Sequence, residues 1–255
     1  MTTISPETLI VPVAMSVAAG LVGCFAVLRR MTLASDALSH VALPGIGVAL
    51  ALGVNPVLGG VTALLLGTTL VWALEHKTRV PTEALIGVTF SAALAIGSML
   101  TSGEQLLEAL FGATSRTGWA ETVACLAASL AVAGLVWRIR HRLVITLVSA
   151  DLARTAGIDV ERLDLLYLLV FGLTVALGLR YLGVLLMGSL VIIPAATARH
   201  VARSLGSMLA WAAGLAAAAT TLGTICAAVL HVTPGPMVIA VAAALFFGLV
   251  WRRAS

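Results

Sequence analysis

The chain has 255 residues, of which 60% are hydrophobic and 10% charged. A soluble domain carries roughly a quarter charged residues, so this chain cannot cover a water-exposed surface, which argues against a soluble enzyme; disorder needs low hydrophobicity and is excluded too. The net charge of +4 is small and one-sided along the chain, a pattern of membrane orientation rather than of affinity for nucleic acid.

At about 28 residues per span and loop, the length allows roughly nine membrane helices. The apolar runs, in chain order, are Leu9–Leu28, Ala37–Gly53 interrupted by Pro44-Gly45, Val57–Leu74, Ala84–Leu100, Trp119–Trp137, Leu165–Leu182, Gly183–Ala198, Ser207–Val229 and Met237–Trp251. The sixth and seventh leave only Arg180–Gly183 for a turn. The seventh and ninth are short for a core of about 30 Å. Leu9–Leu28 lacks a small-residue cleavage site and reads as a first span rather than a signal peptide. Cys24, Cys125 and Cys226 each lie in an apolar stretch and read as packing residues. The expected fold is all-α, one polytopic bundle over residues 1–255 with nine spans, or eight if the Arg180 hairpin does not cross.

With the amino terminus outside, the inner segments hold Arg29, Arg30, Lys77, Arg79, Arg138, Arg140, Arg142, Arg154, Arg162, Arg199, Arg203, Arg252 and Arg253, thirteen of the fifteen basic residues. Arg116 and Arg180 are the exceptions. The positive-inside rule therefore places the carboxyl terminus in the cytoplasm.

Two segments fall between spans. Thr101–Gly118 lies outside, with Leu106, Leu107, Leu110 and Phe111 at helical spacing, and suits a short interfacial helix or a lid. Ile139–Asp164 is the longest inner loop. Within it, Ser149 or Asp151 can cap a short helix that Gly157 stops in the left-handed conformation, either as a plain connector or as a docking surface for a cytoplasmic partner.

An Asp at the centre of a membrane helix costs at least ~2.5–3.5 kcal/mol. Asp36 and His40 stand in the second apolar segment, Leu33-Ala-Ser-Asp-Ala-Leu-Ser-His-Val-Ala-Leu-Pro-Gly45. Four residues apart, they leave the same face of a helix and offer one oxygen and one nitrogen ligand. That donor pair suits a borderline divalent cation such as zinc or manganese, and is too small for a closed structural zinc site. A transported ion must bind well enough to enter and weakly enough to leave. Pro44-Gly45 breaks the backbone ladder beside the pair, as broken helices do at transporter ion sites. The plain alternative is that Ser35 or Asp36 caps the helix and His40 bonds a neighbour. Ligation needs the neutral imidazole, so transport is expected to weaken in acid.

Other ionisable residues carry less. Glu83 follows Pro81-Thr82 in ordinary helix-start chemistry, with a gate role as the alternative. His200 ends the seventh span after Pro194 and reads as an interfacial residue or a second pathway residue. His231 precedes an outer Thr-Pro-Gly-Pro turn, where it could meet an incoming ion or its carrier. No His-Glu-x-x-His or Gly-x-Ser-x-Gly is present, and the single lysine, Lys77, is not in a phosphate-binding Gly-Lys-Ser/Thr loop. Any ATP hydrolysis driving this chain belongs to another subunit; the chain itself is not expected to be an enzyme.

The sequence resembles the membrane permease subunits of ATP-binding-cassette importers for zinc and manganese. The resemblance rests on the Asp36-Ala-Leu-Ser-His40-Val-Ala-Leu-Pro-Gly45 run, on Glu83-Ala-Leu-Ile-Gly87, on the acidic–Leu-Ala-Arg–Gly–Arg-Leu-Asp pattern of Asp151–Asp164, and on Gly183-Val-Leu-Leu-Met-Gly-Ser-Leu-Val-Ile-Ile-Pro194-Ala-Ala-Thr-Ala198. These occur in the expected order over nearly the whole chain. The resemblance implies two permease chains forming the path in a bacterial-type plasma membrane, two ATPase subunits below, and an extracytoplasmic metal-binding protein outside. It implies that Asp36 and His40 line the ion path. It also implies that a coupling segment at about 149–162, with Asp151, Leu152, Ala153, Arg154 and Gly157, meets the ATPase. Zinc or manganese would be cargo, with no permanently bound cofactor. Helix breaks are expected at Pro44, Gly45 and Pro194. An ATP-independent metal channel or secondary transporter is the alternative function.

Overall fold

A computed structural model describes residues 6–78, 80–100 and 118–254. The expected outer helix or lid at 101–117 lies outside these residues. Among them every regular element is helical. We number the helices α1 (Pro6–Leu28), α2 (Thr32–His40), α3 (Ala42–Ala51), α4 (Pro56–Lys77), α5 (Thr82–Leu100), α6 (Trp119–Val148), α7 (Ala150–Thr155), α8 (Val160–Val201), α9 (Leu205–Leu230) and α10 (Pro234–Ala254). Among the described residues seven stretches are long and apolar enough to cross a membrane, and Asp36–Ala51 and Leu186–Val201 are shorter apolar helices. Together they correspond to the nine apolar runs.

Local chemistry sets the helix ends. The Asn55 side chain accepts from Val57 N at 2.9 Å, and Pro56 opens α4, where a missing N–H costs nothing. Ser204 and Ser207 form a reciprocal capping box at the start of α9, and His231 closes that helix with a left-handed φ of 55°. α8 is two limbs folded at Gly183, whose φ of 76° and ψ of 169° are open to glycine and not to other residues. The limbs return against each other closely enough that a side chain at Gly178 would meet Met187. The turn between the sixth and seventh apolar runs is therefore where the sequence placed it.

Several boundaries differ from expectation. The break in the second span falls at Val41, between α2 and α3, rather than at Pro44-Gly45. Pro44 cannot donate to the carbonyl one turn earlier, which is that of His40, so the ladder fails upstream of the proline. Trp119–Trp137 is only part of α6, which continues to Val148 because Arg138, Arg140 and Arg142 are good helix formers beyond the apolar zone. The inner loop thereby shrinks to α7 and its flanks. The last span starts at Pro234, not Met237, and is long enough to cross.

α1 and α8 form the middle of the bundle. α1 packs on both α8 and α9 and is backed by α6, while α8 also meets α2, α4 and α10. α3 lies between α4 and α5. Gly45 of α3 sits against Gly59 of α4, so that neither position has room for a Cβ; small residues give such helices their van der Waals contact in lipid. Buried Thr68, Thr174 and Thr197 donate to carbonyls one turn back and so carry no free polar group into the apolar interior.

Candidate functional site

Asp36 is the fifth residue of α2, whose N-cap is Met31 with no side-chain cap bond. Asp36 is therefore inside the helix and does not cap it. Its side chain is exposed in the single chain, whereas His40, one turn on, is 8% exposed. Ser39 is fully buried, and its Oγ donates to the Asp36 carbonyl at 2.6 Å, which turns it away from the pair's face.

Two other helices shape this face. The second limb of α8 brings Gly188 against Asp36: a Cβ there would lie 2.7 Å from Asp36 Cα and 2.9 Å from Oδ1. α5 brings Phe90 edge-on to the His40 ring, with centroids 5.2 Å apart and planes at 63°. With the ring so held, His40 Nδ1 is buried and has no hydrogen-bond partner. A buried polar atom without a partner costs about 1–3 kcal/mol. The arrangement sets an unpartnered ring nitrogen one helical turn from a carboxylate, at the end of α2 beside the break at Val41. No group of three or more His, Cys, Asp or Glu gathers among the described residues.

The lower-ranked sequence candidates do not join this pair. Glu83 is exposed in the first turn of α5, about 10 Å of helix from Phe90. Helix-start chemistry fits it, and the neighbouring Thr82 Oγ1 donates to Glu75 Oε1 at 2.5 Å. His200 is exposed at the far end of α8, about 18 Å of helix beyond Gly188, with its ring 6.3 Å from that of Phe246. Pro194 is buried inside the second limb, and the helix runs through it to Val201; the non-helical backbone of α8 is at Gly183. His231 is exposed at the end of α9.

The short helix α7 folds as the spacing predicts. Ser149, not Asp151, caps α7, accepting from Leu152 N at 3.3 Å. Gly157 ends it with φ 76°, and the bonds Gly157 N to Arg154 O and Ile158 N to Ala153 O complete a Schellman closure. Ala153 is buried and anchors the helix, while Leu152 is 59% exposed and Asp151 pairs with Arg154 at 3.2 Å on the open side.

Sequence reasoning missed a second polar cluster. Arg29 Nη2 donates to Asp164 Oδ1 at 2.7 Å, and its guanidinium lies 4.5 Å from the centroid of the Tyr167 ring. Tyr167 OH donates to Val22 O at 3.3 Å. The end of α1 is thus tied to the start of α8, directly after α7. No local spacing signals this pair, since its members are 135 residues apart.

The comparisons with known proteins agree with this architecture. A family model described as the ABC 3 transport family matches residues 2–253. The chain is 32% identical over 238 residues to the high-affinity zinc uptake system membrane protein ZnuB of Haemophilus influenzae, spanning 91% of this chain and 90% of that one. It is 30% identical over 244 residues to the manganese import system permease protein ScaB of Streptococcus parasanguinis, spanning 94% and 87%. A chain of the solved structure of PsaBC from Streptococcus pneumoniae in complex with Fab superposes with a TM-score of 0.83 at 29% identity, covering 95% of this chain and 89% of that one. With a family model spanning almost every residue and an importer-permease arrangement of helices, this chain belongs to the ABC 3 transport family.

Proposed function

We propose that this chain is the permease subunit of an ATP-driven importer of a divalent transition metal, zinc or manganese, and that the metal passes Asp36 and His40. The observation that carries the reading is the buried, partnerless Nδ1 of His40 on the same helical face as Asp36, next to the break at Val41. An imidazole and a carboxylate with no further protein ligand nearby bind a passing ion transiently, with water, backbone or a second copy of the chain completing the shell. The basic ends of α1, α6 and the second limb of α8 face the cytoplasm in this reading, with the amino terminus outside. There α7 offers Leu152 and the Asp151–Arg154 pair to an ATPase subunit, and Arg29–Asp164 links that contact to α1. An extracytoplasmic binding protein delivers the ion. This chain supplies the path and the transmission, and its partners supply hydrolysis.

The test is uptake of labelled zinc and manganese into liposomes holding the permease, its ATPase and the loaded binding protein. Asp36→Ala and His40→Ala should each lower uptake by on the order of tenfold or more, with the complex still assembled. Undiminished uptake in both variants removes these residues from the path. Vanadate-insensitive uptake by the permease alone would favour a channel or a secondary transporter.

A further inference from the structure

α1, α6 and α8 end, and α9 begins, at the same face of the bundle. Between them lies an open cavity of about 440 Å3, within the usual range for small-ligand sites. Its walls are apolar, with Leu28, Leu147, Leu205 and Met208 among them, and its polar side carries Arg199 and Arg203. Among the described residues, no acidic one lines it. Neither arginine takes part in an ion pair among the described residues, where the pairs are Arg29–Asp164, Arg154–Asp151 and Arg162–Asp159. Arg199 Nη1 donates to Val27 O at 3.3 Å and so holds the α1 wall in place; Arg203 is exposed at the rim.

We propose that this cavity binds an anionic phospholipid of the adjoining leaflet, its phosphate on Arg203 and Arg199 and the first methylenes of an acyl chain along Leu28, Leu147, Leu205 and Met208. Charge selects the occupant. Two arginines with no acidic partner among the described residues, beside an apolar trough where α1 and the second limb of α8 end and α9 begins, match a negative headgroup attached to a hydrocarbon chain. A soluble anion would leave the trough empty, and a zwitterionic lipid would bring a cation to the arginines. Val148, which also lines the cavity, directly precedes Ser149, the cap of α7. A bound lipid therefore supports the segment that carries the coupling helix. The site needs only the membrane placement of the bundle and stands apart from the metal path, so either reading can fail alone.

The permease–ATPase complex, purified in detergent, is tested by native mass spectrometry with dioleoyl-phosphatidylglycerol and dioleoyl-phosphatidylcholine added at equal concentration. The wild type should retain phosphatidylglycerol preferentially. Arg203→Gln should weaken its retention about fivefold, and Leu147→Trp, which fills the trough, should reduce retention of both lipids, with ATPase subunits still bound in each variant. Equal retention of the two lipids by the wild type, or unchanged retention in both variants, overturns the proposal. Displacement of the lipid by millimolar inorganic phosphate would reduce the site to an anion site and likewise overturn it. Loss of the ATPase subunits with lipid retention unchanged would make the cavity a protein-docking surface instead.

Discussion

Gly188 presses on Asp36: a methyl group at position 188 would lie 2.7 Å from the Asp36 Cα and 2.9 Å from its Oδ1. The first of these atoms belongs to the backbone of α2, so a larger residue cannot be accommodated by a side-chain rotation alone. Gly188→Ala must displace α2 or the second limb of α8, an overpacking that costs about 1–3 kcal/mol. The carboxylate then leaves the position it shares with His40. The expected result is a several-fold rise in the metal concentration that half-saturates ATPase stimulation, measured on the reconstituted complex. A lowered melting temperature with unchanged metal dependence would show that Gly188 serves packing only.

Phe90 fixes the other half of the pair. Its edge-on contact with His40, 5.2 Å between centroids, holds the imidazole where Nδ1 has no protein partner. Aromatic pairs of this kind contribute about 0.5–1.5 kcal/mol beyond the area they bury. Phe90→Leu keeps most of the apolar bulk and removes that orientation. Apparent metal affinity should fall roughly two- to tenfold, read by isothermal titration of the complex. An unchanged affinity would mean the helix backbone alone positions the ring.

What the sequence disclosed here was local, and what it hid was long-range. Asp36 and His40 were legible because one helical turn separates them and because neither belongs in an apolar stretch. Gly157 and Ser149 were legible because caps act over three or four residues. Gly188 and Phe90 were not, since their contacts are made through helices that meet only in the folded bundle. Hydropathy also marks where the oily environment ends, not where the helix does. The arginines after Trp137 therefore read as loop, although α6 continues through them and Arg140 stacks its guanidinium 3.8 Å from the centroid of the Trp137 ring. Pro44 announced a break in the second span, and the break lies one turn earlier because the proline deprives an upstream carbonyl of its donor.

The Arg29–Asp164 pair is half-screened, with side-chain exposures of 13% and 26%, and Arg29 Nε is already without a partner. Asp164→Asn would leave the guanidinium over Tyr167 with no carboxylate, at a cost of about 1.5–3 kcal/mol. Thermal unfolding of the purified permease should register that loss. The exchange Arg29→Asp with Asp164→Arg should recover part of it, because the two changes share one interaction. No recovery in the double variant would show that the pair holds only in its native orientation, with the arginine on α1 over the Tyr167 ring.

Leu152 is 59% exposed on a six-residue helix that is otherwise well anchored, by buried Ala153 beneath it and by closures at Ser149 and Gly157. A helix this short does not persist on its own propensity, so its rigid ends present Leu152 in a fixed position. An apolar side chain held out from a polar helix suits insertion into a partner's cleft. Leu152→Asp should change the stability of the isolated permease by less than about 0.5 kcal/mol, as surface substitutions do, while lowering co-purification of the ATPase subunits. Gly157→Val attacks the same contact differently: at φ 76° a β-branched residue is strained, so the Schellman closure opens and α7 loses its fixed stance. The two variants should converge on the same defect, reduced ATPase binding with the fold of the permease intact. If Leu152→Asp retained full ATPase binding and metal-stimulated hydrolysis, α7 would be a connector and the transmission would have to run through another part of the basic face.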